Sequence, residues 1–393
     1  MTNYELLYQK VVELGMQPKI AKGYVTKFKY DEEAFPVNDI STKEWAITKG
    51  FYPGNVDFYG LTNSNYKNYI PYYQYFMIHP LNNHFKVWLG DKLTCKYVLN
   101  SNGCESVMPN YYAYVENDGS YTYLMNCPDE SIIPRNQDFL LNLLKQQGIL
   151  AMKPNSGTSG GFGFIKLEIK DNVIYENNKP IEISRFNEIR DNIRNYIITE
   201  YIHQHSTLDT IWDESECTLR VTMFKTVKPD LYSKPEWQCL ISYARFGTSL
   251  SGGASNLSSG GVGVGFDFET GKFNDFSIQY KRFTSDGKWK QYNHPDTKTP
   301  WRNNGLPNWD SVKEQIYKVC NHISSLDYLG FDIIITEDSM KLCEINTHPA
   351  LDYEQFICHP VNLNNDARLF FEAKGVKKYD CNKLWQAYLD CQY

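Results

Sequence analysis

The chain has 393 residues and a formal net charge of −6. This length is more than one hydrophobic core usually organises, and a content of 42% hydrophobic and 22% charged residues is typical of a globular protein. Lysine and arginine form no long basic run, which argues against a nucleic-acid-binding protein. No apolar stretch approaches the roughly 20 residues that span a bilayer, and the N-terminus shows no secretory signal. The 10 cysteines form no C-x-x-C pair, so reduced thiols and a cytoplasmic location are expected.

The first 90 residues predict mixed short elements, because Pro53, Pro71 and Pro80 interrupt them. A helix is expected at the very start, since apolar residues between Leu6 and Leu14 recur near helical spacing. The 30 tyrosines and 21 phenylalanines suit either stacking surfaces for sugars or ordinary core packing.

Patterns after residue 90 are sharper, because apolar runs alternate with capping residues and glycines. They predict a helix at 91–100, a helix from Phe139 to Gly148 with Asp138 as its cap, strands at 149–153, 195–202, 217–224 and 237–246, an amphipathic helix from Trp309 to Ile323, a β-hairpin, and a helical tail over 360–393.

A glycine-rich loop at 153–163 (KPNSGTSGGFG) joins two predicted strands. Backbone N–H groups of such a loop can close over phosphates, and Lys153 would place a cation on the same anion. The lysine precedes the glycines, so the loop is not a P-loop. A purely structural turn is the alternative.

A predicted hairpin carries three oxygen-bearing side chains. With its turn near Asp338, Asp332 falls opposite Glu344, and period-2 alternation puts Asn346 on the same face. Two carboxylates and an amide oxygen suit Mg²⁺ together with phosphates. The alternative is a solvent-facing polar side of an edge hairpin.

Two arginines lie in predicted apolar strands, Arg220 and Arg245. A buried strand arginine needs an anionic partner, which a structural carboxylate, a phosphate or a substrate carboxylate would supply. A second glycine-rich stretch at 252–265 runs into strand-like alternation, whereas a dinucleotide-binding loop should open a helix. His348 follows the hairpin at the mouth of the proposed metal site, where the sequence favours a supporting or surface position over a role in proton transfer.

The motifs and their order along the chain resemble those of the ATP-grasp superfamily, and closely those of its sugar-transfer-associated branch. The resemblance spans about residues 45–352 and rests on Trp45–Ile47, Gly50–Pro53, Tyr59–Thr62, Trp88–Thr94, the loop at Lys153, Thr199–Ile202, Cys217–Val221, Arg245 with Gly247, Asn256 with Gly260 and Gly261, His294–Thr297, Leu329–Asp332 and Cys343–Asn346.

The resemblance implies an α+β ATP-grasp fold that holds ATP between two subdomains, with the glycine-rich loop as a lid. It implies an N-terminal region at 1–88, a lid subdomain at 89–200, a C-terminal subdomain at 201–360 and a helical tail at 361–393. The implied site consists of phosphate contacts from Lys92, Lys153, Ser156, Gly157, Gly160 and Gly161, an adenine hinge at Glu200, Tyr201 and Ile202, Mg²⁺ (or Mn²⁺) ligands Asp332, Glu344 and Asn346, catalytic Arg220 and Arg245, and substrate contacts from Asn256 and His348.

The family chemistry is phosphorylation of a carboxylate followed by attack of an amine, here on small-molecule substrates in surface polysaccharide biosynthesis, with an amino sugar as one candidate amine. Neither nucleic acid nor a membrane span is expected, and the oligomeric state stays open. The chain departs from many relatives at Gly330, where an arginine is common, and at Cys217, where asparagine is usual. Other possibilities are a tubulin–tyrosine-ligase-like peptide ligase, a kinase on the same fold, and a nucleotide-binding scaffold.

Overall fold

The computed structural model describes residues 2–124, 133–156, 163–284 and 287–392. The helices are α1 Asn3–Glu13, α2 Pro18–Ala34, α3 Ile40–Thr48, α4 Asn55–Tyr59, α5 Tyr72–Met77, α6 Lys92–Leu99, α7 Phe139–Gln147, α8 Ile183–Asn192, α9 Ser206–Asp209, α10 Trp309–His322, α11 Glu354–Ile357, α12 Asn365–Ala373 and α13 Cys381–Asp390. The strands are β1 Tyr111–Val115, β2 Tyr121–Thr122, β3 Ile149–Pro154, β4 Ile165–Lys170, β5 Val173–Glu176, β6 Lys179–Ile181, β7 Tyr196–Glu200, β8 Thr218–Lys225, β9 Trp237–Phe246, β10 Val262–Phe266, β11 Phe273–Ile278, β12 Lys290–Gln291, β13 Tyr328–Ile335 and β14 Met340–Asn346.

The chain divides into two compact units. Unit 1 consists of Met1–Asn83, Met223–Ile241 and His348–Tyr393, and unit 2 consists of His84–Thr222 and Ser242–Thr347. The four-segment division expected from the sequence stays a prediction.

Unit 1 begins with helices longer than the expected short elements, whereas residues 53–80, where the interrupting prolines lie, form short elements as predicted. The first helix is confirmed, but α2 extends over 17 residues and buries Ala21, Tyr24, Val25 and Phe28 on one stripe. These positions have the i, i+3, i+4, i+7 spacing of an amphipathic helix, so the signal was present in the sequence. Pro18 is at the first helical position, where proline is favoured because its missing N–H needs no partner there.

Many aromatic residues of unit 1 form its core. Tyr24 is fully buried, and its ring lies 5.4 Å from that of Tyr52 and 5.9 Å from that of Tyr73. Phe28 meets the Tyr52 ring edge-on at 5.5 Å. Such tilted and edge-to-face pairs are the geometry that aromatic quadrupoles favour. For these rings, core packing accounts for the aromatic composition.

The first sheet lies in unit 2 and has the strand order β2-β1-β7-β3-β4-β5-β6. Helix α7 is where the sequence predicted it, and it buries Phe139, Leu140, Leu143 and Leu144. Asp138 precedes this helix, but its side chain accepts no capping hydrogen bond. Gly148 ends α7 with φ +78°, a conformation that glycine adopts without a Cβ penalty. The strand β3 then starts directly after the turn.

The second sheet has the strand order β12-β11-β10-β9-β8-β13-β14. Every residue of β13 is buried, which is why its sequence is almost uniformly apolar. The hairpin of β13 and β14 is antiparallel, and Asp332 pairs with Glu344 as predicted. Residues 262–266 form a strand, so the preceding glycine-rich stretch opens no helix. Sheets and helices together give the expected α+β class.

Candidate active site

A cavity of about 380 Å³ lies in unit 2 and is lined by residues from several strands of both sheets. It contains most of the predicted site residues that the structure describes. Those lining the cavity are Lys92, Lys153, Glu200, Tyr201, Ile202, Arg220, Arg245, Asn256, Asp332, Glu344 and Asn346. Ser156 does not line it, and Gly157, Gly160 and Gly161 lie outside the described residues.

Two lysines form the basic side of the cavity. Lys92 is the first residue of α6, whose N-cap Asp91 accepts a hydrogen bond from the Thr94 N–H. Asn155 fixes this corner, since its Oδ1 accepts from the Leu93 N–H at 2.9 Å and its Nδ2 donates to Asp91. The helix end and the end of β3 are therefore tied together in one place.

Lys153, near the end of β3, donates from Nζ to the carbonyl oxygen of Cys343 at 3.2 Å. Burial is the main reason that the pKa of Lys153 is lowered, and the positive charge of Lys92 acts in the same direction. Two cations close together in a partly dry cavity form a site that favours an anion with several charges.

β7 ends at Glu200, so the chain leaves the sheet at Tyr201 and Ile202. The Glu200 carboxylate accepts from Asn110 Nδ2 at 3.0 Å and lies 3.3 Å from Lys341 Nζ. These two contacts fix the Glu200 side chain, while Tyr201 and Ile202, beyond the strand end, line the cavity. Backbone groups after a strand end can hydrogen-bond the edge of a purine base.

Tyr201 packs among charged groups that sequence reasoning did not connect with it. Lys166 Nζ lies 4.6 Å above its ring, and its hydroxyl hydrogen-bonds to Glu216. Burial raises the pKa of Tyr201, with a further contribution from the Glu216 carboxylate, and burial also raises the pKa of Glu216. Thr218 and Glu216 line the cavity two and four residues before Arg220. Strand periodicity from Arg220 was the signal that could have found them.

Arg220 and Arg245 share one carboxylate, that of Asp332. Arg220 Nε donates to Oδ1 at 2.5 Å and Nη2 to Oδ2 at 3.1 Å, while Arg245 Nη2 lies 3.2 Å from Oδ2. Burial alone would raise the pKa of Asp332, but the two guanidinium groups outweigh it and hold that pKa at about 2. The partner that the sequence left open is thus a carboxylate of the chain itself.

Asp332, Glu344 and Asn346 lie on one face of the hairpin, as the alternation predicted. Asn346 Nδ2 donates to Glu344 Oε1 at 3.2 Å, and Glu344 Oε2 lies 3.7 Å from Lys92 Nζ. Within the described ranges, no group of three or more His, Cys, Asp or Glu side chains has an arrangement that could hold a metal ion. Mg²⁺ commonly takes only one or two carboxylates and completes its shell with water and phosphates. Glu344 with the Asn346 amide oxygen fits that pattern.

Asn256 belongs to the loop 248–261, which enters the cavity through Gly253–Asn256. The loop is fixed from within, because Thr248 Oγ1 donates to the Gly260 carbonyl oxygen at 2.9 Å. Arg245 Nη1 lies 3.4 Å from Asn256 Oδ1. The second guanidinium group therefore has the Asp332 carboxylate on one side and this loop on the other.

His348 belongs to unit 1, where its ring lies 4.0 Å from that of His79. His79 is buried, and its Nδ1 is 2.5 Å from the Tyr75 carbonyl oxygen. A substrate role for His348 stays a prediction.

Comparison with known proteins bears on this arrangement. The profile of the family described as "Sugar-transfer associated ATP-grasp" matches residues 76–367, well over half of the chain. The chain belongs to this family. The resemblance inferred from the motifs and the ATP-grasp fold that it implied are thereby confirmed. No curated protein matches this ATP-grasp chain.

Solved structures similar to this ATP-grasp protein share little sequence with it. An ADP complex of N5-carboxyaminoimidazole ribonucleotide synthetase is 11% identical, with a TM-score of 0.39, and the match covers 73% of this chain and 52% of that one. The ATP-grasp ligase PsnB with a minimal precursor variant, Mg and ADP is 12% identical (TM-score 0.35; 74% and 58% covered). D-alanine–D-alanine ligase from Bacillus anthracis is 15% identical (TM-score 0.35; 79% and 69% covered). The chain thus spans little more than half the length of the synthetase and of PsnB, the first two of these proteins.

None of the helices in the described part of the chain combines the length and apolar character needed to cross a bilayer.

Proposed function

We propose that this ATP-grasp protein is an ATP- and Mg²⁺-dependent ligase that joins a carboxylic acid to an amine through an acylphosphate. The observation that carries the proposal is the convergence, in one cavity of a chain that belongs to this family, of two lysines, two arginines and the Glu344–Asn346 pair. Such a cavity holds a polyanion at one side and positions a second anion beside it.

The bond changes are those of acyl activation. A carboxylate oxygen of the acid attacks the γ-phosphorus of ATP, a new O–P bond forms, and the bond to the bridging β–γ oxygen breaks to release ADP. The amine then attacks the acyl carbon, the C–N bond forms, and phosphate leaves while the amine loses a proton to water. The protein's contribution is positioning and neutralisation of charge.

The lysines and arginines divide this work. Lys92 and Lys153 hold the phosphates of the nucleotide, because they line the same corner of the cavity. Arg245 holds the acid or its acylphosphate: it lines the cavity, and Asn256 lies beside its Nη1. Arg220 supports the same charge, with two of its nitrogens on Asp332. Fixed cations in a cavity that excludes water stabilise charge more strongly than mobile ones in solution.

The adenine lies against the backbone of Glu200–Ile202. The phosphate contacts predicted for Ser156, Gly157, Gly160 and Gly161 rest on the sequence, since the three glycines lie outside the described residues. Glu344 and Asn346 hold Mg²⁺, or Mn²⁺ in its place, which when bound supplies Lewis-acid stabilisation of the phosphates. Asp332, the third predicted ligand, has both oxygens in contact with guanidinium groups.

The substrates that we propose are a small carboxylic acid, such as an amino acid, and an amine on a sugar, used in surface polysaccharide biosynthesis. The family description, which links this branch to sugar transfer, supports a sugar-linked substrate. Ser255 and Thr218 place hydroxyl groups 2.8 Å apart in the cavity wall, so the wall offers hydrogen bonds to a polar substrate. Dependence on ATP favours the cytoplasm as the place of reaction.

The test is ADP release from Mg²⁺–ATP over a panel of carboxylic acids, each with and without amines that include amino sugars. We expect release only with one acid–amine pair. Glu344→Gln should abolish it, whereas Glu314→Gln, the same change on the exposed side of α10, should leave it unaltered.

ADP release that depends on the acid but not on the amine would contradict the ligase proposal and indicate a kinase with the same fold. Nucleotide binding without release for any pair, in a folded protein, would support the scaffold instead.

A further inference from the structure

Asp332 is the most heavily engaged carboxylate of the cavity. Both of its oxygens accept from guanidinium groups, with three N–O distances between 2.5 and 3.2 Å to Arg220 and Arg245. The Arg220 pair is a fork, in which two nitrogens of one guanidinium meet the two oxygens of one carboxylate. This geometry fixes the plane of the guanidinium as well as its position.

The three side chains are also buried together. The side chains of Asp332 and Arg245 are each 10% exposed, and that of Arg220 is 12% exposed. Removing one partner from a buried ion pair is strongly destabilising, because the other charge is left uncompensated. A divalent cation that bound Asp332 would therefore have to displace two guanidinium groups from it. The cation would also lie close to their positive charges, which repel it.

Glu344 has none of these constraints. Its side chain is 33% exposed, its nearest cation, Lys92 Nζ, is 3.7 Å away, and its other oxygen accepts from the Asn346 amide nitrogen. That hydrogen bond uses the amide nitrogen of Asn346, so its Oδ1 is the atom through which this amide can ligate a cation. One carboxylate and one amide oxygen are enough when phosphates complete the shell.

We infer that Asp332 is a positioning residue that holds Arg220 and Arg245, and that the divalent cation of the nucleotide is taken by Glu344 and Asn346 without it. The inference rests on the proposed function for the presence of a nucleotide and a divalent cation. The two arginines are then fixed in place by the protein itself, with their guanidinium groups in the wall of the cavity.

The first test needs only ADP and Mn²⁺. The quantity measured is the ratio of the ADP dissociation constants without and with Mn²⁺, for wild type, Asp332→Asn and Glu344→Gln. Glu344→Gln should lower this ratio by at least about tenfold, since even outer-shell partners of a metal contribute that much. Asp332→Asn should lower it by clearly less than that, because it removes no ligand and acts only through the charge left unpaired on Arg220 and Arg245.

An equal loss of the ratio in both variants would overturn the inference, and so would a wild-type ratio near one. If Asp332→Asn does not fold, the triple variant Arg220→Gln, Arg245→Gln, Asp332→Asn removes all three buried charges at once. Its ratio should fall by less than about threefold, because the cation keeps both of its ligands and no guanidinium charge is left unpaired. A loss of about tenfold or more in the triple variant would overturn the inference.

The second test measures hydrogen exchange at the Arg220 side chain in the wild-type protein. The Nε–H of Arg220, labelled with nitrogen-15 and assigned through Arg220→Lys, should exchange slowly with water because it donates to Asp332. Arg302, whose side chain is 76% exposed, is the fast-exchanging control within the same spectrum. Slow exchange should persist after Mg²⁺–ADP is added. Fast exchange in the Mg²⁺–ADP complex would show that the cation takes Asp332 away.

These tests separate the inference from the ligase proposal. Neither uses an acid, an amine or turnover, so a chain that binds Mg²⁺–ADP but ligates nothing would still decide the role of Asp332.

Discussion

Lys153 is a half-buried cation near the end of β3. Its Nζ lies 3.2 Å from the Cys343 carbonyl oxygen, and burial lowers its pKa. Burying a charged group that a neutral oxygen only partly compensates costs free energy of folding. Lys153 therefore lowers the free energy of unfolding but favours the binding of anions in the cavity.

Replacement of this lysine should separate the two effects. Lys153→Met is expected to weaken ADP binding about 10- to 100-fold, because hydrogen bonds to charged groups contribute about 1.5–3 kcal/mol. The free energy of unfolding without nucleotide should stay the same or rise. Calorimetric titration and urea denaturation measure the two quantities.

Lys145→Met, on the exposed side of α7, is the matched control and should alter neither quantity. A Lys153 variant with normal ADP affinity would remove this lysine from the nucleotide site.

Asp31 is a buried carboxyl group of unit 1 whose main partner is the Gly54 N–H at 2.9 Å. Burial raises its pKa from 3.8 to about 7, against the lowering effect of that hydrogen bond. The folded state therefore holds a proton that the unfolded chain releases between these two values. Stability supplied by the protonated group is complete below pH 3.8 and is lost as the pH rises to about 7.

Asp31→Asn should remove this dependence, since the amide oxygen still accepts from Gly54. We expect the variant to gain about 2–3 kcal/mol of unfolding free energy over wild type between pH 5 and pH 8, at about 1.4 kcal/mol per pKa unit. Urea denaturation at both pH values measures it.

Asp39→Asn serves as the control. Hydrogen bonds from Thr42 and Ser41 lower the pKa of Asp39 to about 2, so it is ionised in both states over this range. Its replacement should change stability equally at pH 5 and pH 8. The same pH-independence for Asp31→Asn would contradict a raised pKa.

Single residues also show where sequence reasoning stops. The pairing of Asp332 with Glu344 followed from the hairpin, because strand alternation and turn position are local. The pairing of Asp332 with Arg220 is not local: it depends on β8 lying next to β13 in the sheet order. The sequence therefore placed the arginine in a buried strand but could not choose between a carboxylate of the chain and a phosphate.

At the scale of elements, the predicted helices and strands after residue 90 are largely confirmed, because capping residues and apolar runs mark their ends. The helix predicted at 91–100 is α6, and the strand predicted at 237–246 is β9. In the first 90 residues, the stripe of α2 that includes Tyr24 and Phe28 has helical spacing, but the prediction from the sequence did not use it. The loop 248–261 had no periodic signal, and its conformation is set by contacts with its neighbours.

Gly261 shows what those contacts demand. A Cβ there would lie 2.6 Å from the Ser255 carbonyl oxygen and 2.8 Å from that of Phe246, and both are backbone atoms. Gly261→Ala should cost about 1–3 kcal/mol of unfolding free energy, as overpacking typically does. It should also weaken substrate binding, because Ser255 and Asn256 must shift. Denaturation and KM values measure these effects.

Gly23→Ala is the matched control in α2, where a Cβ would meet only Phe76 at an ordinary 3.6 Å. It should stabilise the protein by up to about 1 kcal/mol, the helix-propensity difference between the residues. Equal effects of the two substitutions would contradict the close approach at Gly261.

At the scale of the whole molecule, unit 1 is assembled from three separate stretches of the chain. The sequence predicted consecutive segments, because composition gives no sign that residues 223–241 join the N-terminal helices. The predicted residues that line the cavity, in contrast, all belong to unit 2. The site could be assembled from motifs because most of its motifs lie in or next to a recognisable strand, and Lys92 opens a recognisable helix.

Because these lining residues belong to unit 2, bound nucleotide should stabilise unit 2 more than unit 1. At an ADP concentration about 100 times its dissociation constant, ligand binding adds about 2.7 kcal/mol to the stability of the binding state. Amides that exchange only when the site opens should then exchange about 100-fold more slowly. Hydrogen exchange with Mg²⁺–ADP should show this slowing in β3, β7, β13 and β14. Lys153→Met at the same ADP concentration should show much less, and slowing that is greatest in α1 and α2 would place the nucleotide outside the cavity.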